Sequence, residues 1–192
     1  MKIVLFGGAF DPPHLGHQHI TQILLNQQIA DEVWYVPTKE HPFSKSMSPV
    51  VHRLAMLKLI INNPRIKIEK YELEKGGISY SRDTLDYLSN KYPQHSFAWI
   101  IGSDNLPDFH KWGDSQGRDY QDLLDHYRFY VYPRKNFALK PLYKNMIPLE
   151  QMKEIEVSST VVRQNVKQSQ PITKLVDPLV KEYIHTHHLY VE

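Results

Sequence analysis

Cysteine is absent from the 192 residues. That excludes disulfides and thiolate metal sites, and it is compatible with a reducing compartment. Net charge is nearly absent too. Lys and Arg number 23 against 21 Asp and Glu, a formal +2, so nothing demands a large polyanion such as a nucleic acid as partner. No apolar run is long enough for a membrane span or a signal segment. The N-terminal run Met1 to Phe6 meets Gly7-Gly8 within one strand length. The expected location is therefore the cytosol. Repeats, low-complexity tracts and linkers are missing as well, so residues 1–192 are expected to form one domain. A chain of this size buries roughly 70% of its unfolded surface and needs no staples. A homo-oligomer is compatible with this composition but not specified by it.

What is present alternates between two kinds of apolar pattern. Ile3–Phe6 is a continuous apolar run, the mark of a central parallel strand. Helical spacing follows from Leu15 through Ile20, Ile23 and Leu24. Residues 32–36 make a second strand, stopped by Pro37, and Val50–Ile61 a second helix. Further strands are expected at 66–69, 97–101 (ended by Gly102), 127–132 and 154–157. Further helices are expected at 81–91, 159–168 and 178–185. Lys39–Ser48 and Pro107–Asp119 read as surface loops. Strands alternating with helices predict an α/β fold: a Rossmann-like parallel sheet with helices on both faces. Ligands in such sheets bind at the carboxyl ends of the strands.

The densest chemistry lies at the first of those ends, in Gly7-Gly8-Ala9-Phe10-Asp11-Pro12-Pro13-His14-Leu15-Gly16-His17. The two glycines let the backbone approach a ligand closely. His14 and His17 are three apart, about 60° round a helix. At a helix N-terminus, where unpaired N–H groups and partial positive charge lie, two imidazoles make an anion site. His19 falls about 140° and 200° from the other two, so a three-histidine metal site does not converge. A second helix N-terminus is expected at Ser158, a good N-cap. There Thr160 offers a hydroxyl, and Arg163 a planar fork for phosphate. Read alone, that segment is better taken as a capped helix with a solvated arginine; beside the histidine turn, phosphate binding is the better reading. Gly102 permits close approach at another strand end, and Asp104 can accept from ribose hydroxyls or cap the next turn. Trp112, between Lys111 and Gly113 in a polar loop, either stacks on a flat ring or pins the loop.

These residues together resemble the HxGH nucleotidyltransferase superfamily, and within it the bacterial nicotinate-mononucleotide adenylyltransferases. The first turn matches the family signature. Ser79-Tyr80-Ser81 with Thr84-Leu85 is similar to its Ser-Tyr-Thr segment. Ile100-Ile101-Gly102-Ser103-Asp104 followed by Trp112 is similar to its central strand end and tryptophan loop. Val157-Ser158-Ser159-Thr160-Val161-Val162-Arg163 resembles its second signature. The order is the same, and the matches span almost the whole chain. The resemblance implies catalysis by His14, His17 and Arg163. It implies ATP contacts at Gly7, Gly8, Ala9, Phe10, Gly102, Asp104, Ser158 and Thr160. It implies mononucleotide contacts at Lys45, Tyr80, Ser81, Thr84 and Trp112, with Arg134 a further phosphate or nucleotide contact. One segment departs. Where the family carries a Pro-Pro-His-Lys-like stretch, this chain reads Glu40-His41-Pro42-Phe43-Ser44-Lys45.

The chemistry implied is attack of a nicotinate mononucleotide 5′-phosphate on the α-phosphorus of ATP, giving deamido-NAD and pyrophosphate. Mg²⁺ would ride on ATP, and the protein would hold no tightly bound metal of its own. Three alternatives stay open at this point. Nicotinamide mononucleotide could be the preferred acceptor, or another phosphomonoester such as pantetheine phosphate, or the chain could be a nucleotide sensor without turnover. A plain dinucleotide-dependent dehydrogenase fits less well, because the glycine turn is not G-x-G-x-x-G.

Overall fold

Alternation along β1 (Lys2–Gly8) sets the architecture. Ile3 and Leu5 bury on one face of the sheet, Val4 and Phe6 on the other, in two separate apolar clusters. The computed structural model describes residues 1–40 and 47–191. Around β1 lie α1 (Leu15–Asn26), β2 (Glu32–Pro37), α2 (Val50–Leu59), β3 (Ile66–Ile68), α3 (Tyr71–Lys75) and α4 (Ser81–Lys91). There follow β4 (Ser96–Gly102), a 3₁₀ helix (Ser103–Lys111), α5 (Tyr120–His126), β5 (Arg128–Tyr132), β6 (Met146–Pro148), α6 (Ser159–Lys167) and α7 (Pro178–Thr186).

The six strands form one sheet in the order β3-β2-β1-β4-β5-β6, and every pairing is parallel. This is the Rossmann order. The direction of winding reverses between β1 and β4, and their carboxyl ends open a crevice there. One face carries residues of α1, α2, α6 and α7 packed on Val4, Phe6, Val33, Tyr35 and Ile100. The other carries α4, α5 and the 3₁₀ helix against Ile3, Leu5, Trp34, Trp99, Phe129 and Val131.

Several features differ from the sequence expectation. The expected strand at 154–157 is not one. Ile155 makes a single parallel bridge to Arg134, and the sixth strand is Met146–Pro148. Exposed Glu154 and Glu156 flank Ile155, so that segment has one residue to bury, too little for a ladder. Tyr127 caps α5, and the fifth strand begins at Arg128. The helix begun at Val50 ends at Leu59, two residues early. Pro107–Asp119, read as a surface loop, starts inside the 3₁₀ helix, where Leu106 and Phe109 have no exposed surface. Leu106, Phe109 and Trp112 are spaced by three, the period at which 3₁₀ side chains eclipse. The short helices α3 and α5 had no sequence expectation; α5 is capped by Asp119, whose carboxylate accepts from the N–H groups of Gln121 and Asp122.

The 3₁₀ helix matters because it carries Trp112, whose ring stacks on Phe109 at 4.9 Å. Phe109→Ala is expected to destabilise the chain by about 3–5 kcal/mol in urea unfolding. A cost below about 1 kcal/mol would show that this segment is not docked on the sheet.

Candidate active site

The turn after β1 folds back on its own side chains. Phe10 takes a left-handed φ of 50°. Its buried ring packs edge-on against Tyr35 at 5.2 Å and His17 at 4.9 Å, contacts that hold an unfavourable backbone in place. His14 is the extended N-cap of α1. Its backbone N–H donates to Nδ1 of His17 at 3.1 Å, so the proton of a neutral His17 sits on Nε2. The two imidazoles stack at 3.7 Å with 26° between planes. Gly16 leaves room for this: a Cβ there would press on the His14 ring and on Ile155. The exposed His19 is not part of the pair. Among the described residues, no group of three or more His, Cys, Asp or Glu is placed to hold a metal.

Both imidazoles are neutral in the free protein. Burial, then the Arg134 charge, depresses His17 to about 3. Burial, then His17 and Arg134, holds His14 well below its usual range. The site is therefore a pair of neutral hydrogen-bonding rings beside a permanent cation, where the sequence had suggested only an anion site without fixing the rings' charge. Arg134 donates through Nη1 to the Val157 carbonyl at 2.8 Å, and its N–H donates to Ser103 Oγ at 2.9 Å. It lies 3.9 Å from Asp104.

The late turn docks directly on the early one. Ser158 caps α6 by accepting the Val161 N–H. Ser159 Oγ donates to the Pro12 carbonyl at 2.9 Å. Arg163 Nη1 donates to the Asp11 carbonyl at 2.7 Å, and Nη2 to Thr160 Oγ1 at 3.4 Å. Two helix N-termini, α1 and α6, thus share one edge of the sheet, with Arg163 and Arg134 alongside.

Next to this turn lies a cavity of about 400 Å³ at the β1–β4 crevice. Gly7, Gly8, Gly102, Tyr80, Ser81 and Trp112 line it. A Cβ on Gly7 would clash with the Trp99 ring, and one on Gly102 with Asp104 and Arg134. Phe6 also lines the cavity, and its ring sits 5.4 Å from that of His17, so the imidazole pair and the cavity are neighbours separated by one aromatic ring. His14, His17 and Arg163 do not line the cavity itself, nor do Ala9, Phe10, Asp104, Ser158, Thr160 and Arg134. Lys45 and His41 lie outside the described residues.

Thr84, expected to contact the mononucleotide, is fully buried and does not line this cavity; its hydroxyl donates instead to Glu72 Oε1 at 3.0 Å. Glu72 lines the cavity and was not anticipated, because the charge-rich run Tyr71–Lys75 reads as a solvated segment. Burial raises its pKa, while hydrogen bonds from Ser79, Thr84 and Thr38 partly oppose that. Thr38 and Lys111 also line the cavity and were missed. Their signals were position: one follows β2, the strand beside β1, and the other precedes Trp112.

The cytidylyltransferase-like family model matches residues 5–165. A nicotinate-nucleotide adenylyltransferase from Bacillus subtilis is 35% identical over 192 residues, covering 98% of each chain. This chain belongs to the nicotinate-nucleotide adenylyltransferase family. A probable member from Cytophaga hutchinsonii is 40% identical, over 96% of this chain and 95% of that protein. Among solved structures, the Plasmodium falciparum nicotinic acid mononucleotide adenylyltransferase complexed with NaAD superposes with a TM-score of 0.80 at 25% identity. That match covers 99% of this chain and 97% of the other. Among the described residues of this family member, no helix is long and apolar enough to cross a membrane.

The neutral histidines of the adenylyltransferase turn set a pH dependence. A histidine whose native pKa lies below its unfolded value of 6.5 supports the fold fully above that value. That support is lost as pH falls from 6.5 towards about 3. His17→Gln is therefore expected to flatten the fall of the unfolding temperature over this window. Parallel curves for the two proteins would mean that His17 is not held neutral.

Proposed function

We propose that the chain joins nicotinate mononucleotide to the adenylyl group of ATP, forming deamido-NAD and pyrophosphate. The observation that carries this reading is the docking of Arg163 and Ser159 on the histidine turn, beside a cavity large enough for a mononucleotide's ring and ribose. The relative complexed with NaAD lends it support.

The mononucleotide's 5′-phosphate is already a nucleophile, so the protein needs none. Its oxygen attacks the α-phosphorus of ATP in line. The bond from that phosphorus to the bridging oxygen breaks, and pyrophosphate leaves with the electron pair. Mg²⁺ enters with ATP as part of the substrate. The charge growing on the leaving oxygens is met by Arg163, by the Nε2–H of His17, by His14 and by the N-termini of α1 and α6. Gly7, Gly8, Ala9 and Phe10 let the nucleotide approach the backbone, and Ser158 and Thr160 serve the phosphates from the second turn. Gly102 and Asp104 serve the ribose, and Arg134 and Lys45 act as further phosphate contacts. Holding two anions in line supplies much of the remaining acceleration, roughly 7–11 kcal/mol for well-oriented reactants.

The pyridine ring belongs in the cavity. One face of the Trp112 ring is taken by Phe109, which leaves the other for the ligand. α4 begins at Ser81 with no side-chain cap at Tyr80. The start of the helix, at Tyr80 and Ser81, lines the cavity, and an uncapped helix N-terminus is a setting for an anion such as the nicotinate carboxylate. Lys111 also lines the cavity, its ammonium paired with Asp108 at 2.6 Å. Thr84 acts from outside the cavity, donating to Glu72, whose side chain lines it. This argues for nicotinate over nicotinamide and over pantetheine phosphate, which offers no ring.

Pyrophosphate release measured across these three acceptors is expected to be fastest with nicotinate mononucleotide. Release with pantetheine phosphate alone, or ATP binding with no release from any acceptor, would contradict the reading. Trp112→Ala is expected to raise the KM for the mononucleotide about tenfold to a hundredfold, since one aromatic stack is worth roughly 1–3 kcal/mol. The KM for ATP should stay unchanged; the opposite pattern would remove the stacking role. His17→Ala should lower kcat by roughly 10²–10³-fold, the effect of losing one preorganised donor.

A further inference from the structure

The end of the chain returns to its beginning. Past α7, His188 and Tyr190 take left-handed φ values of 48° and 65°, turning the backbone towards the histidine turn. Across 179 residues of sequence, the Tyr190 hydroxyl donates to Asp11 Oδ1 at 2.6 Å. The other carboxylate oxygen of Asp11 accepts the Ser48 N–H at 2.9 Å. Asp11 is only 3% exposed, and its own carbonyl is the one held by Arg163. The buried Arg53 fixes the surroundings, donating to the carbonyls of Ala9, Thr38 and Ser48 at 2.8, 2.9 and 3.0 Å. Burial, then the Asp11 charge, raises the Tyr190 pKa, so the phenol remains a donor.

The residue between the glycines and His14 is thus gripped on its side chain by Tyr190 and on its backbone by Arg163. We propose that Tyr190 is a positioning residue for adenylyl transfer: through the Asp11 carboxylate, its hydroxyl fixes the turn that carries His14 and His17 and the carbonyl that orients Arg163. The proposal rests on the adenylyl-transfer reading for its kinetic consequence, but its structural half stands without substrate. Tyr190 touches no reacting group in this arrangement.

Two variants separate positioning from simple packing. Tyr190→Phe removes one oxygen and keeps the ring. Leu189→Ala weakens the packing of the same tail against the core without touching Asp11. In the ligand-free chain, Tyr190→Phe is expected to speed amide hydrogen exchange of residues 9–17 about tenfold, as for a lost hydrogen bond to a charged group, with exchange in β4 and β5 unchanged. It should lower kcat about tenfold, with the KM for each substrate shifted less than about threefold. Leu189→Ala should lower the unfolding temperature yet leave exchange at residues 9–17 and kcat below that temperature unchanged. Equal behaviour of the two variants, or native exchange and kcat in Tyr190→Phe, overturns the proposal. Should the native chain release no pyrophosphate, the adenylyl-transfer reading fails separately, and the exchange measurement still decides whether Tyr190 holds the turn.

Discussion

Two hydrogen bonds join the two ends of the site: the guanidinium of Arg163 on the carbonyl of Asp11, 152 residues away in sequence, and the Ser159 hydroxyl on the carbonyl of Pro12. Without them, α1 and α6 would each present a separate N-terminus at the carboxyl ends of the strands; with them, the two partial positive charges converge on one place. The sheet makes the contact geometrically available. β1 is central, between β2 and β4. α6 packs on the same face as α1, through Val162 in the shared apolar cluster. Parallel order, burial on both faces and the position of the charged groups are therefore consequences of one arrangement of strands.

The charge state follows from that burial. Two stacked imidazoles beside Arg134 stay neutral in the free protein, since desolvation and a neighbouring cation both disfavour the imidazolium. A polyanion brought alongside offsets the second of these influences, because its charge opposes that of Arg134. The rings are thus suited to stabilising negative charge where it grows, and impose little electrostatic penalty on the empty site.

Much of this was legible in the chain itself. The run Ile3–Phe6 ending in two glycines specified a buried parallel strand and its turn, because apolar continuity and glycine each have one physical meaning there. His14-Leu15-Gly16-His17 and Ser158–Arg163 declared themselves as helix starts through local chemistry. The sixth strand did not, being three residues long and stopped by proline. Ile155 misled because a lone buried residue between two glutamates alternates like a strand. The 3₁₀ helix was hidden because Pro107 and the polar residues between Leu106, Phe109 and Trp112 read as a loop. Glu72 and Tyr190 were invisible for a different reason: their roles depend on partners 12 and 179 residues away, which no local pattern encodes.

The central claim is that the early and late turns hold one triphosphate together. ¹⁵N NMR of the His14 and His17 imidazoles and of the Arg163 guanidinium tests it most directly, during titration with a Mg²⁺–ATP analogue whose α–β bond cannot be cleaved. The account predicts neutral imidazoles in the free chain, with the His17 proton on Nε2, and all three groups responding along a single saturation curve. An Arg163 resonance that stays still while the histidines respond, or histidines charged before any ligand is added, would contradict it.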